Sequence, residues 1–352
     1  MNAQARSEAA VNADANGPAS AERLLDLINA SWTTQAICAA VELGLPDQLA
    51  AGPRRVEALA DASGCHPAAL ERLLRGLASL DLCREHEGIF ELTPMGALLC
   101  AGADDSLRAW AIHCGRYLWP AWGRLAESVR TGTSHRKRAT GTDDYGHLEH
   151  DPDAAAVFNR AMVEITRLVA REVARVCNFG GVERIVDVGG GHGELLAAIL
   201  AAHPRMRGVL LDLPHAIQGA GAALSRAGVA ARCELVTGSF FESVPAGAGV
   251  YALKSVLHNW DDDRCAAILR NCRHAMPETS RLLVIERIMP EHVFAAARDR
   301  AIARSDLNML VARGGRERTE AAYRSFLGSA GLRVEGILPA ALDFSVIEAA
   351  PA

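Results

Sequence analysis

One short stretch, from Ile185 to Glu194, constrains the fold of this chain more than any other, because it has the pattern of a strand, a turn and a helix start. An apolar β-branched run ends at Val188, a glycine-rich turn follows from Gly189 to Gly193, and an amphipathic segment continues to Ala202. Consecutive glycines allow positive φ angles and let a ligand approach the backbone where a Cβ would collide. The following helix offers unpaired N–H groups and the positive end of its dipole. The stretch therefore predicts a ligand-binding turn at the carboxyl end of a buried strand.

The glycine turn differs from a dinucleotide-binding turn in its spacing and in the acid that precedes it. Its pattern is Gly-Gly-Gly-x-Gly, whereas a dinucleotide site has Gly-x-Gly-x-x-Gly and must hold a pyrophosphate. Asp187 would repel a pyrophosphate but suits a ligand with an ammonium or sulfonium group, and S-adenosylmethionine has both. These residues favour S-adenosylmethionine over NAD. The alternative is a glycine turn that serves packing alone.

A second apolar run strengthens the expectation of a nucleoside cofactor. It ends in Asp212, about 20 residues past the glycine turn, where an acid can bind the hydroxyls of a ribose.

The nine cysteines have neither CxxC pairing nor Cys/His ligand spacing, so we expect reduced intracellular thiols and no metal.

Composition excludes several other classes of protein. The 352 residues suggest one large domain or two ordinary ones, and a hydrophobic content of 50% supports a substantial core. The net charge of −5 creates no basic field that would attract nucleic acid. The sequence has no apolar run of about 18 residues, so we expect no membrane span and a cytoplasmic protein.

The chain divides into three parts. Residues 1–20 are rich in Ala, Asn and Ser without an apolar signal core, which predicts a disordered leader. Residues 21–105 are predicted to form a helical, winged-helix-like domain, with helices at 21–49, 56–60 and 68–80 and a hairpin around Glu87-Gly88. Residues 106–352 are predicted to form a helical linker and a catalytic domain.

The third part alternates strands and helices after its helical linker. Helices are expected at 106–130 and 152–177, with a polar loop from Thr131 to Asp151 between them. Strands are expected at 184–188, 207–212, 232–236, 249–254, 281–286 and 342–348. This alternation predicts a doubly wound, Rossmann-like α/β domain.

The winged-helix segment could instead read DNA, and local charge decides against it. Its basic residues are matched one for one by acidic ones, whereas a phosphate-binding surface needs a positive excess. The basic set is Arg54, Arg55, Arg72, Arg75 and Arg84, and the acidic set is Glu57, Asp61, Glu71, Asp81 and Glu85. We therefore expect no nucleic-acid partner.

A histidine beyond the fourth predicted strand is the candidate general base. The strand ends near Lys254, and His258 follows at the sheet edge where such folds bind their ligands. Histidine titrates near neutral pH, and a carboxylate on its Nδ1–H would fix the tautomer. Glu286 and Glu317 are the candidate carboxylates. The alternatives are a surface acid at a strand end for Glu286 and a helix N-terminal charge for Glu317.

Four motifs in this order carry a family resemblance: Val186–Gly191, Asp212-Leu213-Pro214, Leu257–Trp260 and Gly314–Thr319. Together they resemble the S-adenosylmethionine-dependent O-methyltransferases of the caffeate/phenolic and bacterial polyketide-tailoring type. These are class I methyltransferases with an N-terminal winged-helix dimerisation domain, and the resemblance covers nearly the whole chain.

The resemblance implies a role for each candidate site residue. His258 would be the base, with Glu286 and Glu317 flanking it. Asp187 and Gly189 would hold the methionine end of the cofactor and Asp212 its ribose, while Ser239 and Phe240 would flank the adenine and Lys254 would line the same pocket. The full sets are Asp187, Gly189, Gly191, Asp212, Leu213, Ser239, Phe240 and Lys254 for the cofactor, and Phe158, Met162, Asn259 and Met309 for an aromatic acceptor.

The implied activity is methylation of a phenolic hydroxyl of a secondary-metabolite intermediate by a homodimer whose N-terminal domains help to close the partner's site. Two positions depart from the family pattern. Many relatives have an acid at Ser239, and plant relatives have Asp at Asn259, so His258 has one fewer nearby carboxylate to raise its pKa. Three alternatives stay open: decarboxylation or hydroxylation with the same cofactor, N- or C-methylation, and a ligand-sensing winged-helix regulator.

Overall fold

The computed structural model describes residues 18–143 and 146–352, which form two units that divide between Arg116 and Tyr117. Most of the predicted leader, residues 1–17, lies outside the described residues, and Pro18 to Ser20 already belong to the first helix. The division falls eleven residues after the predicted boundary at 105. The reason is packing, because the Gln35 side chain donates to the Gly115 carbonyl at 2.8 Å, and Gly115 leaves no room for a Cβ beside Cys38.

The first unit contains the predicted winged-helix arrangement. Phe90 and Leu74 lie in its core and are fully buried. Glu87 and Gly88, with φ of 49° and 74°, make the left-handed turn that a tight hairpin requires. Its elements are α1 Pro18–Glu42, α2 Leu45–Ala50, β1 Arg54–Arg55, α3 Val56–Ser63, α4 Pro67–Ser79, β2 Cys83–His86, β3 Ile89–Leu92, α5 Pro94–Ala97 and α6 Arg108–Ile112.

A mixed eight-stranded sheet organises the second unit, as expected for a Rossmann-like domain. Its strands are β4 Arg184–Val188, β5 Arg207–Asp212, β6 Cys233–Thr237, β7 Val250–Lys254, β8 Arg281–Met289, β9 Arg318–Thr319, β10 Leu332–Pro339 and β11 Phe344–Pro351. The spatial order is β10-β11-β8-β7-β4-β5-β6, and β9 pairs with the end of β8. Strands β4 to β8 run parallel, whereas β10 and β11 are antiparallel.

Hydrophobic residues alternate between the two faces of this sheet because successive strand side chains point in opposite directions. Ile185 packs with Leu196 on one face, and Val186 packs with Leu253 and Val284 on the other. A π-helix, His113–Leu118, includes the point of division between the units. The helices and 3₁₀ turns of the second unit are α7 Trp119–Trp122, α8 Leu125–Thr131, α9 His135–Thr140, a 3₁₀ turn Gly146–Glu149, α10 Pro152–Val176, α11 Glu194–Ala202, α12 Pro214–Ile217, α13 Ala220–Arg226, 3₁₀ turns Ala230–Arg232, Leu257–Asn259 and Ala341–Asp343, α14 Asp262–Ala275, α15 Ala297–Ala312 and α16 Glu320–Ser329.

Two sequence-based predictions in this unit were wrong. The predicted loop from Thr131 to Asp151 contains α9, whose first turn is capped by the Ser134 hydroxyl. The strand predicted at 342–348 begins at Phe344, because Leu342 and Asp343 take left-handed φ angles of 55° and 62°. They form the turn after β10. Strand β10 itself was not predicted, because a glycine, a register shift and a terminal proline obscure the alternation of its residues.

No helix in the described ranges has the length and apolarity needed to cross a membrane.

Candidate active site

The candidate site lies at the carboxyl ends of β4 and β7, where the chain reverses its direction of travel across the sheet. From β4 the chain adds β5 and β6 on one side, and it then returns to add β7 and β8 on the other. Open α/β sheets bind ligands in the crevice at such a switch point. The glycine turn follows β4 and the His258 turn follows β7, so both predicted motifs meet at this edge.

The glycine turn is shaped by positive φ angles and by close packing. Gly189 and Gly191 have φ of 72° and 58°, a left-handed conformation that favours glycine. A Cβ on Gly189 would come within 3.2 Å of the Phe240 ring, and one on Gly190 would collide with the Asp187 carboxylate. A Cβ on Gly191 would meet nothing within 4 Å. Gly191 therefore presents open backbone at the edge of the turn.

Asp212 at the end of β5 fastens the glycine turn to the next strand. Its Oδ2 accepts a hydrogen bond from the Gly191 N–H, and its Oδ1 accepts one from the Leu213 N–H, both at 2.7 Å. Burial raises the pKa of Asp212, while these backbone hydrogen bonds oppose the rise. Each carboxylate oxygen keeps a second lone pair, so it can accept further hydrogen bonds from a ligand.

Asp187 lies beneath the glycine turn rather than on its open side. It is 1% exposed, and neither carboxylate oxygen has a hydrogen bond of good geometry among the described residues. Burial and the nearby Asp212 raise the pKa of Asp187 to about 7, whereas Lys254 and the backbone N–H of Leu196 oppose the rise. A buried carboxylate without a partner is stabilised by a cation bound nearby.

The remaining predicted cofactor residues surround the turn on different sides. The Phe240 ring lies over Gly189 and stacks edge-on with Phe241, at 4.8 Å between centroids. Ser239 caps its own turn, because its hydroxyl accepts a hydrogen bond from the Phe241 N–H at 3.2 Å. Leu213 is 36% exposed.

Lys254 lies with Phe344, 5.0 Å from the ring centroid, and its Nζ is 3.0 Å from Ser255 Oγ. Phe344 packs on one face of the sheet, and Phe240 packs on the other. Burial and the Arg287 guanidinium lower the pKa of Lys254, to about 8, while Glu286 opposes this. The predicted place of Lys254 in the lining of the cofactor pocket stays a prediction.

His258 lies between the two predicted carboxylates. Its Nδ1 is 3.3 Å from Glu317 Oε1 and 3.3 Å from Glu286 Oε2. Glu286 Oε1 also accepts hydrogen bonds from the backbone N–H groups of Val256 and His258, at 3.0 and 3.4 Å. These N–H groups converge because Ser255, with φ of 54°, turns the chain sharply after β7. The structure thus brings together all three residues predicted for catalysis.

Charge within this cluster favours the imidazolium form of the histidine. Burial alone would lower the pKa of His258, but Glu286 and Glu317 raise it above its usual value. Burial raises the pKa of Glu286. Burial acts in the same direction on Glu317, but His258 and a hydrogen bond from the Ser305 hydroxyl lower the pKa of Glu317 overall. His258 can therefore take up a proton without leaving an uncompensated buried charge.

Four residues without a predicted role support this cluster. The Ser305 hydroxyl donates to Glu317 Oε1 at 2.6 Å. Gly315 lies against the His258 carbonyl, where any Cβ would collide, and the Arg316 N–H donates to that carbonyl at 2.9 Å. Arg318 binds the same turn from inside the protein. The only sequence signal for Gly315, Arg316 and Arg318 was their proximity to Glu317 in the last motif, and Ser305 gave none.

The predicted acceptor residues lie on helices of the second unit and on the His258 turn. Phe158 and Met162 are one turn apart on α10, so they share a helix face. The Arg313 guanidinium covers the Phe158 ring at 5.0 Å, and Met309 on α15 is 8% exposed. Asn259 uses its amide nitrogen locally, donating to the Ser255 carbonyl at 2.9 Å.

Comparisons with known proteins agree with this geometry. A family model for an O-methyltransferase domain matches residues 122–333, and one for an O-methyltransferase dimerisation domain matches residues 25–102. The chain is 40% identical to a phenazine O-methyltransferase of Lysobacter antibioticus, over 93% of this chain and 95% of that protein. It is 40% identical to the mitomycin biosynthesis 6-O-methyltransferase of Streptomyces lavendulae, over 91% of each chain.

A solved structure extends the similarity to the fold. An O-methyltransferase from neocarzinostatin biosynthesis, in complex with S-adenosylmethionine and 2-hydroxy-5-methyl naphthoic acid, matches with a TM-score of 0.75 and 34% identity. The match covers 91% of this chain and 96% of that one. The chain therefore belongs to the family of S-adenosylmethionine-dependent O-methyltransferases that carry an N-terminal dimerisation domain.

Proposed function

We propose that this enzyme transfers a methyl group from S-adenosylmethionine to a phenolic hydroxyl of an aromatic secondary-metabolite intermediate, with His258 as general base. The observation that carries this proposal is the position of His258 Nδ1, 3.3 Å from both Glu286 and Glu317 at the switch point of the sheet. One relative is named as a phenazine O-methyltransferase, and the neocarzinostatin enzyme is in complex with 2-hydroxy-5-methyl naphthoic acid, which supports an aromatic acceptor.

The cluster defines how the proton moves. With Nδ1–H donated to Glu317 Oε1 and Glu286 Oε2 also 3.3 Å from Nδ1, the lone pair of the neutral ring is on Nε2, and Nε2 accepts the hydroxyl proton. A phenol has a pKa of about 10 and is a weak nucleophile at neutral pH. The carboxylates of Glu286 and Glu317 stabilise the imidazolium that forms, so the proton transfer becomes easier.

The residues at the glycine turn fit S-adenosylmethionine. The unpartnered Asp187 carboxylate supplies negative charge beneath the turn for an ammonium or sulfonium group. Asp212 has acceptor capacity for ribose hydroxyls, and the open backbone at Gly191 admits a ligand. The proposed cofactor set is completed by Gly189, Leu213, Ser239, Phe240 and Lys254. When bound, the cofactor supplies an electrophilic methyl group.

Phe158, Met162, Asn259 and Met309 are proposed to hold the acceptor ring. Apolar and aromatic side chains suit a flat aromatic molecule, and methionines adapt to its outline. Alignment of the acceptor oxygen with the methyl group is the protein's main contribution besides the base, because such alignment can lower a barrier by up to about 7–11 kcal/mol in ideal cases.

A homodimer formed through the first unit is part of the proposal. Helix α1 carries five large apolar side chains that are 55% to 68% exposed: Leu24, Leu25, Leu27, Ile28 and Trp32. An exposed apolar face of this kind marks an interaction surface, and residues 25–102 match the dimerisation model. Light scattering on the full chain tests the dimer.

The nine free cysteines support a cytoplasmic location.

Calorimetric titration with S-adenosylmethionine, S-adenosylhomocysteine and NAD tests the cofactor. We expect both sulfur compounds to bind and NAD not to bind. Failure of both would contradict the proposal and favour the regulator, which a gel shift would then test.

Product mass tests the reaction in a panel of phenols that includes 2-hydroxy-5-methyl naphthoic acid. A gain of one CH₂ supports methyl transfer, whereas loss of CO₂ or gain of one oxygen supports the diverged chemistries.

The same three side chains could also bind a metal ion, because the ligand atoms of His258, Glu286 and Glu317 lie within 4.8 Å of one another. We expect turnover to survive a chelator, and loss restored by added metal would contradict the role of His258.

A further inference from the structure

The turn that carries His258 presents carbonyl oxygens to a buried guanidinium. Arg318 is 3% exposed, and its side chain lies against the interior side of the turn. One nitrogen donates to the Leu257 carbonyl at 2.9 Å, and another donates to the Trp260 carbonyl at 2.7 Å. Leu257 precedes His258 and Trp260 follows it by two residues. A single planar guanidinium therefore binds the chain on both sides of the histidine.

The charge of Arg318 is balanced within the same structure. The nitrogen bound to Trp260 also donates to Asp262 Oδ1 at 2.9 Å, in the first turn of α14. The ring of Phe326 lies 5.3 Å from the guanidinium carbon. The fork is therefore fixed on its carbonyls by an anion on one side and an aromatic ring on the other.

Residues 316 to 318 contact this turn one after another. The Arg316 N–H binds the His258 carbonyl at 2.9 Å, Glu317 Oε1 is 3.3 Å from His258 Nδ1, and Arg318 binds the flanking carbonyls. The segment is anchored where β9 pairs with Ile288 and Met289 of β8, just beyond Glu286. The position of the histidine and the positions of both its carboxylates are thus set by one continuous group of contacts.

We propose that Arg318 is a positioning residue whose guanidinium fork holds the Leu257–Trp260 turn so that the His258 ring stays between Glu286 and Glu317. This inference rests on the proposed role of His258 as general base. Buried carbonyl groups require donors. The Cys265 thiol, a weak donor, also lies 3.1 and 3.6 Å from the Leu257 and Trp260 carbonyls, whereas Arg318 binds both with charged donors from one rigid plane. A lysine keeps the charge but offers donors from a single point, so it cannot span both carbonyls in the same way.

The test compares Arg318→Lys and Arg318→Gln with the matched control Arg316→Gln. Arg316 also pairs with Asp262, but its side chain is 57% exposed, and only its backbone contacts the turn. The first readout is an NMR titration of the His258 ring in the full chain without cofactor, with its signal identified by loss in His258→Gln. Glu286, Glu317 and Arg287 are the charged groups that act on this ring. We expect the pKa of His258 to fall towards its ordinary value in Arg318→Lys and to stay unchanged in Arg316→Gln.

The second readout is turnover with an acceptor found in the product-mass panel. Displacement of a catalytic group by about 1 Å can cost 10²-fold. We therefore expect kcat of Arg318→Lys to fall by about 10- to 100-fold, with S-adenosylmethionine affinity within about two-fold, because the glycine turn does not contact Arg318.

Four outcomes overturn the inference. Arg318→Lys could keep the wild-type titration and turnover, or Arg316→Gln could lose as much turnover as Arg318→Lys. The Arg318 variants could lose cofactor binding together with turnover, or both could fail to fold. The last two outcomes assign Arg318 to general stability. Failure of the proposed function is distinguishable, because His258→Gln would then keep its turnover.

Discussion

The glycine turn and the His258 turn follow neighbouring parallel strands at the same sheet edge, yet they are built in opposite ways. The glycine turn is shaped by its own backbone and is fastened by Asp212, 21 residues from Gly191. The His258 turn is held by side chains from distant segments, with Glu286 at 28 residues and Arg318 at 61 residues from the atoms they bind. The comparison predicts that changes near the first turn affect cofactor binding and that changes around the second affect turnover.

Among the changes considered, His258→Ala should have the largest effect on turnover. Loss of a general base typically costs roughly 10²- to 10⁴-fold in rate, so we expect that fall in kcat with nearly unchanged S-adenosylmethionine affinity. His274→Ala is the matched control because His274 is exposed on α14. Near-normal turnover of His258→Ala across a pH series would remove His258 from the role of base.

Gly315→Ala tests whether the second turn depends on close approach from a distant segment. The added Cβ would collide with the His258 carbonyl and with Asn259 backbone atoms, which cannot move aside as a flexible side chain could. We expect roughly 10²-fold lower kcat from displacement of Glu317, and a loss of about 1–3 kcal/mol in the free energy of unfolding. Gly328→Ala, where a Cβ meets nothing within 4 Å, is the control. Equal turnover of the two variants would show that this approach is not needed.

Asp212→Ala should produce the reverse pattern of effects. A hydrogen bond to a charged group contributes about 1.5–3 kcal/mol, so the Kd for S-adenosylmethionine should rise by about 10- to 100-fold. At saturating cofactor, kcat should stay close to the wild-type value, because Asp212 has no contact with the His258 turn among its hydrogen bonds. Calorimetry measures the first quantity and turnover the second. A wild-type isotherm would refute the ribose assignment.

The same contrast explains which features could be predicted from the sequence. The glycine turn, Asp212 and most strands of the parallel sheet carry local signals, namely glycine spacing, β-branched runs and acids at strand ends. Glu286 was predicted as a partner of His258 because it follows an apolar strand, and Glu317 was predicted from its place in the Gly314–Thr319 motif. Their meeting at one ring nitrogen is a tertiary fact that the structure supplies.

The features that were missed depend on contacts between distant residues. Gly315 resembles any glycine in a loop until the His258 carbonyl lies against it, and Arg318 resembles a surface arginine until it is 3% exposed. Ser305 gave no signal at all, because its role is one hydrogen bond to a carboxylate 12 residues away. Edge strand β10 was missed for a different reason, since its alternation is interrupted by Gly336.

Glu317→Gln should give a smaller effect and sharpen the comparison through pH. His258 acts as a base only when neutral, so kcat falls as the pH drops through its pKa. Glu286 and Glu317 raise that pKa against the effect of burial, and removal of one carboxylate should move the acid limb of the kcat profile to lower pH. We also expect a roughly five- to ten-fold lower plateau, because a neutral partner binds the imidazolium less strongly than a charged one.

Ser305→Ala should change the pH dependence of kcat in the same way as Glu317→Gln but by a smaller amount. It removes one hydrogen bond from the Glu317 carboxylate and leaves the carboxylate in place, so the acid limb should move in the same direction by less. Asp212→Ala, measured in parallel, should leave the limb where it is, because its effect lies in cofactor binding. An acid limb that does not move in Glu317→Gln, or that moves to higher pH, would mean that Glu317 does not set the basicity of His258. Glu286 would then be its only carboxylate partner among the described residues.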